Sequence, residues 1–74
     1  MTPRQYVIVI EGGDRTNFSA YAPDLPGCVA TGETAQECEA EMRDAISFHI
    51  EGLIAEGFAV PEPTAVTAAV VHLA

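Results

Sequence analysis

Tyr21-Ala22-Pro23-Asp24-Leu25-Pro26-Gly27-Cys28-Val29-Ala30-Thr31-Gly32-Glu33-Thr34 joins a region of strand-like alternation to the one long helical pattern in the chain, and its reading decides the fold. Pro23 and Pro26 lack a backbone donor and push the residue before each into an extended conformation, while Gly27 and Gly32 permit the positive φ that tight turns use. The backbone path is therefore closely specified. Thr34 reads as a helix N-cap: its hydroxyl can accept from the Glu37 amide while the Glu37 side chain reaches back to the Thr34 amide.

Working back from this junction, Gln5 to Glu11 carries a continuous apolar run, Tyr6 to Ile10, which predicts a central strand buried on both faces. Gly12 to Asn17 is a turn by composition. It leads into Phe18 to Ala22 as the second arm of a hairpin, and after the Pro-Asp-Leu-Pro-Gly turn a short third strand spans Cys28 to Thr31.

Working forward, a helix is predicted from Ala35 to about Glu56, with Gly57 as the residue just past its end. At about 100° per residue, Ala35, Cys38, Met42, Ala45, Ile46, His49 and Leu53 form the sheet-facing stripe. Phe58 to Pro63 is an extended connection stiffened by Pro61 and Pro63, and Thr64 to Leu73 alternates as a final strand, apolar on both sides. The expected architecture is α+β, a single domain over residues 1–74. An antiparallel, hairpin-led sheet of three to four strands carries one long helix on one face, in the order β-β-β-α-β. One helix covers only one sheet face, so the other calls for a neighbour, most simply in a homodimer or higher homo-oligomer.

Charge narrows the function. The 74 residues carry eleven acids against three arginines (Arg4, Arg15, Arg43) and no lysine, a net charge of −8. Such a chain repels phosphate backbones and attracts basic surfaces, which argues against direct nucleic-acid binding. Cys28 and Cys38 lie on apolar positions and read as buried thiols in a reducing compartment. No leader pattern and no apolar run of the ~20 residues that span a bilayer is present, so the expected location is cytoplasmic, without a membrane partner.

The run from Tyr21 to Thr34, the alanine-rich amphipathic helix after it, and Gly57 with Val60-Pro61-Glu62-Pro63 together resemble the HicB-like family of antitoxins. The resemblance spans about residues 5–74, and its most specific parts are Pro23 to Gly27, the Gly32-x-Thr34 helix entry and the Pro61-x-Pro63 exit. It implies a curtailed, catalytically degenerate ribonuclease H-like sheet. It also implies a partner: members of the family typically neutralise HicA, a small basic toxin of double-stranded-RNA-binding-like fold that cuts messenger RNA with a histidine. Full-length members often add a C-terminal helix-turn-helix or ribbon-helix-helix domain. This sequence shows none, so operator binding is not expected of it.

The candidate site is a line on the helix. Glu37, Glu41, Asp44, Phe48 and Glu51 follow at i, i+4, i+7, i+11 and i+14, and Asp24 and Glu33 from the neighbouring loop extend it. One reading has this line dock the basic toxin, with Phe48 as anchor. The other has a solvated helix face, with Phe48 packed on a sheet edge or in a dimer, in a stand-alone homo-oligomeric domain of structural or ligand-binding role. Pro23, Pro26, Gly27, Gly32, Thr34, Gly57 and Pro61 read as structural. Catalysis is not expected: Glu11, Asp14 and Asp24 could at most share one ion, and the first strand lacks the central acid of a ribonuclease H site. His49 and His72 have no metal-ligand spacing to a cysteine or carboxylate, and Cys28 has neither a spaced histidine nor a helix N-terminus to activate it. No cofactor, metal or catalytic residue is assigned.

Overall fold

The computed structural model describes residues 4–13, 17–71 and 73. Strands β1 (Val9–Gly12), β2 (Phe18–Ala22) and β3 (Leu25–Gly32) form an antiparallel sheet in the order β1-β2-β3, and helix α1 (Ala35–Ala55) packs across it. The α+β class and the three antiparallel strands are as the sequence implies.

Three details differ from expectation. The central strand is β2; β1 lies at an edge and begins only at Val9, where a strand from Gln5 was expected, because Tyr6 to Ile8 have no ladder partner, and Tyr6 to Ile10 are only half-buried. β3 begins at Leu25, three residues earlier than expected. The register between β2 and β3 breaks between Tyr21 and Ala22, where Tyr21 pairs Val29 but Ala22 pairs Leu25, so Pro26, Gly27 and Cys28 bulge within the strand. The bulge resets the alternation, and both Leu25 (1% exposed) and Cys28 (4%) point into the core despite their odd spacing. Pro26 is tolerated because β3 is an edge, and Gly27 takes the positive φ of 84° that the bulge requires. Lastly, the segment from Thr64 onward forms no strand among the described residues. It pairs with no edge, and Val66 and Val70 are 93% and 84% exposed. His72 lies outside the described residues, as do Asp14, Arg15 and Thr16 of the β1–β2 turn.

The core is small. Ala20, Ala22, Leu25 and Cys28 from the sheet meet Cys38 and Met42 from α1, flanked by Tyr6, Ile8, Ile10, Phe18, Ala30, Ala45 and Ile46. Alanines at the centre of β2 let the helix lie close. Closeness is greatest at Gly32, where a Cβ would sit 2.5 Å from the Cys38 amide nitrogen, so this position excludes a side chain on packing grounds.

Both helix ends are closed. Thr34 Oγ1 accepts from the Glu37 amide at 3.0 Å, while the Glu37 side chain makes no return bond to the Thr34 amide, so half of the expected box is formed. At the other end the Gly57 amide donates to the Ile54 carbonyl (3.1 Å) and the Phe58 amide to the Leu53 carbonyl (2.9 Å), a Schellman closure at the predicted C-terminus.

Candidate partner-binding face

The sheet-facing and acidic stripes of α1 separate as the spacing predicts. Cys38 and Met42 are fully buried, and Ala35, Ala45, Ile46, His49 and Leu53 are half-buried. Glu37, Glu41, Asp44, Phe48 and Glu51 are all exposed along one flank of the helix, Phe48 to 79% and beside the β3 edge. Among the described residues none of these carboxylates is ion-paired; the one salt bridge, Arg4 to Glu62 at 3.5 Å, lies elsewhere and is itself exposed. Glu33 is exposed in the turn before the Thr34 cap and continues the line at its N-terminal end. Acids near that end also favour the helix dipole, which offsets part of their mutual repulsion.

Asp24 has a different place. Its Oδ1 accepts from the Thr64 hydroxyl (2.5 Å), and its Oδ2 accepts from the amides of Thr64 and Ala65 (3.0 Å each). These bonds hold the carboxyl below the usual range, the Thr64 hydroxyl contributing most, then the Ala65 and Thr64 amides. Both oxygens are thus engaged within the chain. Beside this clasp the Tyr6 hydroxyl donates to the Pro61 carbonyl at 2.5 Å, so with the exposed Arg4–Glu62 pair the exit segment is held at three points across the end of the sheet. Neither the clasp nor the Tyr6 bond was visible in the sequence, since the partners lie 40 and 55 residues apart. The only signal was a turn-forming Asp and a Pro-x-Pro-Thr exit.

Two grooves flank the helix. One, of about 410 Å³, opens between the β3 edge and the C-terminal half of α1 and includes Cys28, Val29, Phe48, His49, Leu53 and Phe58 in its walls. Phe58, 61% exposed, belongs to the connection after the helix, and its composition gives no sign that it reaches this groove. The other, of about 390 Å³, lies on the β1 side and is ringed by Arg4, Glu39 and Arg43 around Tyr6, Ile8 and Ile46. Cys28 and His49 therefore share a groove, but burial pushes the Cys28 thiol up, away from the thiolate that nucleophilic chemistry needs. Both cysteines are free thiols. Among the described residues no three His, Cys, Asp or Glu side chains cluster as a metal site, and no helix is long and apolar enough to cross a membrane. Glu11 is exposed, and Asp14, the acid expected near it, lies outside the described residues.

Residues 6–73 match the model of the HicB-like antitoxin of bacterial toxin-antitoxin systems. The chain belongs to this HicB-like family. A UPF0150 protein of Synechocystis is 35% identical over 65 residues, which cover 84% of this chain and 82% of that protein. A 14.9 kDa protein from the rep-hol intergenic region of Haemophilus phage HP1 is 42% identical over 40 residues, 54% of this chain but only 30% of the phage protein. Among solved structures, a chain of a HicA3 and HicB3 toxin-antitoxin complex superposes with a TM-score of 0.68 at 36% identity, over 78% of this HicB-like chain and 66% of that one. The resemblance drawn from the Tyr21 to Thr34 run is thereby borne out at the level of family and fold.

Proposed function

We propose that the chain binds and neutralises a small basic HicA-type toxin that cleaves messenger RNA, using the acidic face of α1. The observation that carries this reading is the exposed, unpaired line Glu37, Glu41, Asp44 and Glu51, extended by Glu33 and interrupted by an aromatic that is 79% exposed. A protein that grips RNA presents cationic side chains, and this line complements them. Long-range attraction would speed encounter, and Phe48 would supply a desolvated anchor at its centre. Family membership and the likeness to a chain from a HicA3 and HicB3 complex support the same partner class.

In this reading the chain acts by occlusion. It contributes no catalytic group and no cofactor, and its net charge of −8 keeps it off nucleic acid. Asp24 serves the toxin face only indirectly, because its carboxylate holds the exit segment. Two buried free thiols accord with a reducing, cytoplasmic setting.

The test is co-expression with the adjacent reading frame followed by pull-down and sizing. Wild-type chain should retain a small basic partner, and the double variant Glu41→Lys, Asp44→Lys should lose it while keeping its thermal transition. Undiminished capture by the double variant would reject this face, and absence of any toxin complex would reject the reading. One observation favours the alternative, a stand-alone homo-oligomeric domain: the row Val9, Tyr21, Val29 lies across the outer sheet face with Tyr21 42% and Val29 65% exposed.

A further inference from the structure

We propose that residues 64–73 form an exchanged strand: in a symmetric pair of copies, this segment of one protomer lies along the β3 edge of its partner and fills the apolar groove beside it. The inference stands apart from the toxin reading, and the two meet only at Phe48, which walls this groove, so strand and toxin would compete for that side chain. The starting point is a mismatch within the chain. The segment alternates β-branched and small residues, the pattern of a strand, yet Val66, Val70, Val71 and Leu73 are 93%, 84%, 76% and 89% exposed. A run of this composition left without cover is a template for pairing.

Its base, by contrast, is fixed. Pro61 is held by Tyr6 on the β1 side and Thr64 and Ala65 by Asp24 at the β2–β3 turn, so the chain crosses the end of the sheet from the β1 side toward β3, and beyond Ala65 its described residues are exposed. The segment thus projects away from its own fold, consistent with a longest dimension of 45 Å against 27 and 20 Å for the other two.

The β3 edge fits this segment better than the β1 edge does. Beyond the bulge at Pro26 to Cys28, the regular stretch from Val29 to Gly32 leaves its outer backbone unpaired, and that edge can supply a ladder. Charge decides between the two edges. From Thr64 to Leu73 the only ionisable side chain is His72, and the β3-side groove has Glu56 as its one carboxylate and His49 as its one imidazole in otherwise largely apolar walls. The β1-side groove is ringed by Arg4, Glu39 and Arg43, which an apolar strand would have to desolvate. Two chains of −8 each repel, but this arrangement brings together their least charged parts, and the remaining repulsion is screened beyond about 8 Å at physiological ionic strength. Exchange is reciprocal, so the pair closes under a two-fold axis.

The experiment is light-scattering mass measurement of the 74-residue chain at ~100 µM and two salt concentrations, with a cysteine cross-linking arm. Wild type should run at twice the 7.8 kDa of one chain, more completely at high salt. Replacing Ala68 and Val70 together by proline, which removes two ladder donors from a segment outside the core, should return it to the monomer with unchanged helical circular dichroism. Copies carrying Val29→Cys, mixed with copies carrying one cysteine at 66, 68 or 70, should form a mixed disulfide at one register, the native thiols being buried. A monomeric wild type, a dimer that survives the proline pair, or cross-linking to Val9→Cys in place of Val29→Cys would each overturn the proposal. So would a disulfide closing within one chain that carries both cysteines.

Discussion

Residues 21–34 and residues 64–73 make an instructive pair. Both are short and rich in small and β-branched residues, and each has two prolines close by, Pro23 and Pro26 within the first and Pro61 and Pro63 just before the second. The first is held throughout: it turns, bulges, delivers Leu25 and Cys28 to the core, and ends in a formed N-cap. The second is held only at its base and is exposed beyond Ala65. Strand propensity is thus similar in the two, and burial differs. A strand forms where a paired edge and a facing apolar layer exist, because side-chain packing sets most of what appears as β-propensity. The first segment has β2 on one side and α1 across from it. The second has neither within its own chain.

Removing the layer that holds the first segment should produce the largest effect. Met42 is fully buried against the sheet, and Met42→Ala should cost about 2–5 kcal/mol. A domain of this size is worth only about 4–11 kcal/mol in total, so chemical denaturation should show a transition shifted far toward zero denaturant. A shift under 1 kcal/mol would mean that the junction is held by its turns and not by the helix above it. Next comes Gly32→Ala, whose new Cβ would press on the Cys38 backbone and should cost about 1–3 kcal/mol, read in the same melt. Thr34→Ala, which deletes the 3.0 Å cap to the Glu37 amide, should cost about 1 kcal/mol, and Thr34→Ser should restore most of it. If serine failed to rescue, the threonine would matter through packing and not through its hydroxyl.

The junction was legible because its constraints are local. Proline, glycine and a Thr-x-x-Glu cap act within a few residues, and the helical stripe from Ala35 to Leu53 repeats often enough to predict which face is buried. The same local reading placed β3 too late, since Pro26 and Gly27 suit a turn and a bulge equally well and only pairing with β2 distinguishes them. It also made β1 central, because an apolar run does not reveal which strand lies beside it. For the candidate site, the exposed acids of α1 follow from periodicity alone. Asp24 did not, since its neighbours in space, Thr64 and Ala65, are set by how the chain returns after the helix. The β3-side groove was hidden for the same reason: Phe58 reaches it only because the Schellman closure turns the chain back.

The smallest expected effect concerns the clasp between the two regions, and acid should release it without unfolding the core. The Asp24 carboxyl is held below its ordinary range by the Thr64 hydroxyl and then by the Ala65 and Thr64 amides. Because the folded value is the lower one, the clasp is fully present above the free-chain value near 3.9 and is lost as pH falls through the folded value. In an NMR titration of the 74-residue chain, the Thr64 and Ala65 amide signals should therefore move together at a pH below that of a free aspartate, while core signals such as Cys38 and Met42 stay in place over that step. Thr64→Val removes the largest of the three causes, so the same transition should shift upward in that variant. Were the midpoint unchanged, the two amides would be sufficient to hold the carboxylate and the hydroxyl would be incidental. Were the core signals to move in step with the clasp, the exit segment would be part of the fold's cooperative unit, and the contrast between a held junction and a projecting tail would have to be drawn beyond Ala65 and not at Thr64.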